Sequence, residues 1–118
     1  MDTRLQEALD FSNYRLTLST QLDNLKIKLK NDLLFTYQNS IFSANINTIM
    51  YCALLLKETT VKEFPFEDTN GAPVLITDIS DFARKMNSMY MAAMVTYNTE
   101  YEKIAKARNI KKIVDYNG

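Results

Sequence analysis

The chain has no histidine, no tryptophan and one cysteine, and only two glycines and two prolines among its 118 residues. Without histidine there is no imidazole for acid and base catalysis near neutrality, no Ser-His or Cys-His nucleophile pair, and no use of the commonest metal ligand. A lone Cys52 precludes an intrachain disulfide, and its setting in "IMYCALLLK" marks it as a small apolar residue expected to be buried, which fits a reducing compartment. With Gly71 the only glycine before the terminal Gly118, no phosphate-cradling loop can be built. Charge of one sign is missing as well. Fourteen basic residues balance fourteen acidic ones, so the whole molecule has no field that would draw it to nucleic acid or an anionic membrane. The longest apolar run, Ile49 to Leu56, is far too short to cross a bilayer, and "MDTRLQEALDF" has acids where a signal peptide carries basic residues.

What is present is a folded composition: 47% hydrophobic and 24% charged residues, too apolar for disorder. The length suits one domain with a modest core. From Asp2 to about Gln38 there is no breaker, and Phe11, Leu18, Leu22, Leu25, Leu29 and Leu33 recur at helical spacing, which predicts a long helix over about 2–38. At 100° per residue, Leu5, Leu9, Leu16, Ile27 and Leu34 form a second stripe on nearly the opposite side. Either both stripes are covered within the chain, as in any helix apolar all round, or the second docks on another subunit. The second stripe is the expected partner interface, because a short helix cannot cover its length.

A turn-like Asn39-Ser40 and a short extended piece lead to Asn45, which caps a helix over about 45–57 with Ile46, Ile49, Met50, Ala53 and Leu54 as its stripe. Both prolines and Gly71 fall in "FPFEDTNGAPVLI", the signature of a β-hairpin over about 64–76. Asn70-Gly71 suits a two-residue type I′ turn, which pairs Thr69 with Ala72, Glu67 with Val74 and Phe66 with Leu75. In that register Asp68 and Pro73 exchange no hydrogen bonds, whereas Pro65 loses one to Ile76; Phe64, Phe66 and Leu75 would rest on the helices.

Asp78 caps the next helix, with Asp81 in its first turn near the positive end of the dipole. Its stripe of Ile79, Phe82, Ala83, Met86, Tyr90, Ala93, Met94, Tyr97, Tyr101 and Ile104 runs to about residue 107. Asn109 then caps a last short helix over about 110–115. The expected fold is mainly α: two long antiparallel helices, a shorter helix and one small β-hairpin in a single domain of residues 1–118.

Four features invite a chemical reading. Asp78 and Asp81 could hold a divalent cation, but a helix cap accounts for both. Glu58, Glu63, Glu67 and Asp68 make the hairpin region acidic, either to guard a strand edge or to meet a basic partner. Lys103, Lys106, Arg108, Lys111 and Lys112, opposed over that stretch only by Asp115, form a basic segment with Tyr101 and Tyr116 nearby. It could grip phosphates, yet cations also simply suit a helix C-terminus. Met91 and Val95 point away from the stripe of their helix, where a flexible thioether suits an adaptable contact surface.

Three segments, "MDTRLQEALDFSNYRLTL", "EDTNGAPVLITDISDF" and "YNTEYEKIAKARNIKKIVD", together resemble a set of short proteins encoded by contractile-tailed marine phages of cyanobacteria. The resemblance covers most of the chain in the same order and includes no catalytic motif. It implies a phage source and a virion or assembly role. The expectation is therefore a non-enzymatic interaction protein that needs no cofactor or metal. It would associate with itself or another phage protein, as a homo-oligomer or hetero-complex, in the virion or host cytoplasm. The alternative is a small regulator that binds a host protein or nucleic acid through the basic segment; neither nucleic acid nor membrane is the first expectation.

Overall fold

The protein, seen in a computed structural model that describes residues 3–117, with side chains for residues 3–107, is mainly α with minor β. The order is α1 (Thr3–Asp32), β1 (Leu34–Tyr37), β2 (Ser40–Ser43), α2 (Ile46–Glu58), β3 (Phe64–Glu67), β4 (Pro73–Ile76) and α3 (Ile79–Asn117). The chain divides into two compact units, one of residues 29–95 and one of residues 1–28 and 96–118.

The unit of residues 29–95 holds both hairpins, α2 and the first half of α3. The first hairpin was not foreseen. The helix expected to reach residue 38 stops at Asp32, because the stretch that follows carries the aromatic and β-branched residues Phe35, Thr36, Tyr37, Ile41 and Phe42 and turns back on itself. Gln38 and Asn39 both have positive φ, 47° and 63°, as a type I′ two-residue turn requires. The register pairs Leu34 with Ser43, Phe35 with Phe42, Thr36 with Ile41 and Tyr37 with Ser40, and the Ala44 N–H donates to the Leu33 carbonyl at 2.7 Å. Leu34 therefore belongs to β1 and not to the helical stripe on which it was placed.

The second hairpin sits where the breakers predict, in a different register. Phe64 pairs with Ile76, Pro65 with Leu75, Phe66 with Val74 and Glu67 with Pro73, one residue away from the expected pairing. Only Gly71 has positive φ, 78°, so the turn is not type I′. It is a three-residue loop: the Gly71 N–H donates to the Asp68 carbonyl at 3.0 Å and the Asp68 N–H to the Ala72 carbonyl at 2.9 Å. Asp68 organises it, since its Oδ1 accepts the Asn70 and Ala72 N–H groups, both at 2.9 Å. Hydrogen-bonded and non-bonded pairs alternate along an antiparallel ladder, so the bond at Asp68 and Ala72 makes both proline pairs non-bonded. Neither missing proline N–H costs a ladder bond, whereas the expected register would have lost one at Pro65. The shift also exchanges faces: Val74 and Ile76 turn inward and Leu75 outward, 51% exposed.

The core is Phe42, Ala44, Cys52, Leu55, Phe66, Ile76, Ile79, Phe82 and Met86. Phe82 is fully buried, with ring centroids of Phe42, Tyr37 and Phe66 at 5.0, 5.1 and 5.2 Å. Gln38 ties the hairpins together: its Nε2 donates to the Leu75 carbonyl at 2.7 Å and its Oε1 accepts the Thr77 N–H at 3.1 Å. The Thr69 N–H adds a bond to the Ile41 carbonyl at 2.9 Å. Both helix caps stand where the sequence puts them, with Asn45 Oδ1 accepting the Asn47 N–H and Asp78 Oδ1 the Asp81 N–H.

In the unit of residues 1–28 and 96–118, α1 is covered along one stripe: Tyr14, Leu18 and Leu22 are half-buried and Leu25 is buried. Phe11, expected on that stripe, is exposed and lies 5.8 Å below the Arg15 guanidinium. On the segment of α3 in this unit, Thr96, Tyr97, Glu100, Ile104 and Ala105 are half-buried. Tyr101 lies one residue past that seam, about 100° around the helix, and is exposed, as is Met94 beside Ala93 in the other unit. α3 runs unbroken to Asn117, so the separate short helix over 110–115 does not form. The stretch holds no proline or glycine, and one asparagine costs a helix only about 0.7 kcal/mol.

Candidate interaction surfaces

Four of the five residues expected at a partner interface lie on α1, and all four face solvent: Leu5 is 54% exposed, Leu9 44%, Leu16 65% and Ile27 58%. They fall within about 40° of one another around the helix. Leu34, the fifth, is 39% exposed on the outward face of β1. The first helix thus has one covered stripe and one bare apolar stripe, interrupted by Ser12, Thr20 and Asp23.

A second bare face belongs to α2. Ile46, Met50 and Leu54, one turn apart each, are 44%, 63% and 52% exposed, while the opposite side buries Cys52 and Leu55 in the core. The stripe read from the sequence was therefore the outward one, with only Ile49 of its members packed against the core. In "IMYCALLL" nearly every position is apolar, so periodicity could not choose a face. Met91 and Val95 on α3 are exposed, as expected.

The titratable groups with shifted values owe the shifts to packing and to hydrogen bonds within the fold. Asp81 Oδ2 accepts the Tyr37 hydroxyl at 3.0 Å, and Asp81 also meets Arg84 at 3.1 Å and Lys85 at 3.7 Å. The Tyr37 hydrogen bond above all, with the two cations, holds the Asp81 carboxyl below its usual value. Burial, then the bond to Asp81, pushes the Tyr37 hydroxyl up to about 12. Burial alone pushes the Cys52 thiol up to about 11, so it stays protonated and inert. Asp78 is occupied as a cap, and among the described residues no group of three or more potential ligands is placed to hold a metal. Glu58, Glu63 and Glu67 are exposed, whereas Asp68 is engaged in its loop.

The basic segment is only partly in view. Lys103 lies 3.4 Å from Glu100 and Lys106 is exposed, while the side chains of Arg108, Lys111 and Lys112 lie outside the described residues. The unit of residues 29–95 holds two concavities of note. One of about 280 Å³ has Phe42, Phe66 and Met86 in its floor and Asn45, Glu67 and Thr69 on its rim. The other, about 490 Å³, lies between β1 and α3, against Phe35, Thr36, Asp81, Arg84, Lys85 and Met89. No helix among the described residues is long and apolar enough to cross a membrane. Comparison with family models, with curated proteins and with solved structures finds no match.

Proposed function

We propose that this is a non-enzymatic interaction protein that self-associates through the bare stripe of α1, as a structural or assembly component of a phage particle. The observation that carries the reading is the exposure of Leu5, Leu9, Leu16 and Ile27 on one side of a 30-residue helix. Each leucine left in water forfeits roughly 1.5–3 kcal/mol that burial would supply. A helix-to-helix contact between copies offers that burial along most of the α1 length, about 45 Å. The bare face of α2 adds a second surface of the same kind. The likeness to short proteins of contractile-tailed phages supports placing the assembly in a particle or its building pathway. Another particle protein with an apolar helix face could stand in for the second copy.

Replacing Leu9 and Leu16 with Glu tests the reading. Both positions are outside the covered stripe, so the helical circular dichroism should persist while the assembly dissociates. A double variant that unfolds would put the stripe in the interior of the protomer and end the proposal. The alternative, a regulator that binds nucleic acid or a host protein through the basic segment, rests on Lys103 and Lys106, the first of which meets Glu100 at 3.4 Å, and on Arg108, Lys111 and Lys112, whose side chains lie outside the described residues.

A further inference from the structure

Hairpins expose their outer edges, and in this chain three of the four edges carry a guard. In the second hairpin one of the two outward-facing residues of each strand is proline, Pro65 beside Glu67 on β3 and Pro73 beside Leu75 on β4, each in a non-bonded pair whose backbone groups point away from the partner strand. The carbonyl of Leu75 and the N–H of Thr77, further along the β4 edge, are taken by the Gln38 side chain. On β2 the outward carbonyl of Ile41 accepts the Thr69 N–H. The chain has only these two prolines, and it places both on strand edges.

β1 has no such guard. The bond from Ala44 to Leu33 and the turn closed by Tyr37 and Ser40 make the pairs of Leu34 with Ser43 and Thr36 with Ile41 the non-bonded ones. The N–H and C=O groups of Leu34 and Thr36 therefore point out of the far edge, and no described residue bonds to them. Beside that edge lies the groove of about 490 Å³, with Phe35 and Met89 as apolar lining and Arg84, Lys85 and Ser88 on the α3 side. Arg84 and Lys85 are well exposed, 73% and 58% by side chain, and outnumber the one acid, Asp81, that both contact.

The geometry points to strand addition: an extended segment of another protein, with acidic side chains alternating with apolar ones, pairs with Leu34–Thr36 and lays its carboxylates beside Arg84 and Lys85. The backbone bonds supply the recognition, and the basic flank sets its charge preference. A second copy of β1 does not suit the edge, because it would bring two sets of Arg84 and Lys85 to one seam. The edge is built from β1 residues and none of the α1 stripe, so the two surfaces are tested by separate variants.

The test uses the full chain, labelled with ¹⁵N, and the peptide acetyl-Val-Glu-Val-Glu-Val-amide as probe. Saturable shifts of the Leu34 and Thr36 amides are expected, with slowed exchange of those two N–H groups in the complex. N-methylation of the peptide at alternate residues should abolish binding in one phase and spare it in the other, because only every second N–H faces the edge. The Arg84→Ala, Lys85→Ala double variant should weaken binding about tenfold or more, and a peptide with Lys for Glu should not bind. Thr36→Pro should close the edge as Pro65 and Pro73 close theirs. If that variant fails to fold, the methylated peptides still decide. The proposal is overturned by absence of shifts at millimolar peptide, by shifts confined to α3, by binding indifferent to the phase of methylation, or by concentration-dependent shifts of Leu34 and Thr36 without peptide.

Discussion

Asp68→Ala is the sharpest probe of how the second hairpin is built. Asp68 Oδ1 accepts two loop N–H groups at 2.9 Å, from Asn70 and Ala72. Each such bond contributes about 0.5–1.5 kcal/mol net, and in a loop open to water the lower half of that range applies. Removing the carboxylate should therefore cost about 1–2 kcal/mol, or roughly 3–10 °C in melting temperature for a chain of this size. Asn70→Ala should cost less than about 0.5 kcal/mol, because the Asn70 side chain makes no hydrogen bond to the described chain and its φ is ordinary. Gly71→Ala should fall between: a Cβ there meets nothing within 4 Å, so only the positive φ of 78° is strained, at about 1 kcal/mol. Urea titrations of the three variants, followed by circular dichroism at constant slope, give the order. If Asn70→Ala proves as costly as Asp68→Ala, Asn70 holds positive φ after all, and the three-residue loop and its register are wrong.

Other expectations follow from the same packing. Phe82→Ala removes a ring that is fully buried against four aromatic neighbours and should cost about 3–5 kcal/mol, with Phe82→Leu retaining much of that; near-parental urea midpoints for the alanine variant would refute a shared core for the two hairpins. Tyr37 keeps its proton up to about pH 12 when folded, whereas an unfolded tyrosine loses it near 10. Its contribution is complete below pH 10 and is lost as pH rises toward 12, so Tyr37→Phe should flatten the stability profile in that window. Asp81 has the opposite sense: its lowered value adds stability above the ordinary aspartate range that is lost as pH falls through the folded value, and Asp81→Asn should remove that acid sensitivity.

Much of the fold can be read from the sequence where a single residue has a single physical role. Asn45 and Asp78 cap helices because a short acceptor side chain before an apolar run has few other uses, and both do so. The second hairpin is legible because prolines and a glycine collect there. Its register is not, since the Asn-Gly dipeptide suggests one turn while Asp68 and two non-bonded prolines settle on another. The first hairpin escapes notice because its turn is Gln38-Asn39, two residues that can adopt positive φ but rarely advertise it, following a helix with no breaker. The face of α2 is hidden for a different reason: a segment apolar all round carries no periodic signal, and only the positions of Phe66, Ile76 and Phe82 decide that Cys52 and Leu55 go inward. The bare stripe of α1 is legible as a pattern, four residues on one side of a helix, and the structure leaves those four residues in solvent.

The most direct test of the account is the mass of the protein in solution, by light scattering after size exclusion, across a hundredfold range of concentration. The monomer is 13.6 kDa. Self-association through α1 requires a mass of at least twice that at the upper concentrations, returning to the monomer when Leu9 and Leu16 are both Glu. A parent that stays at 13.6 kDa throughout, with the double variant indistinguishable from it, would contradict self-association.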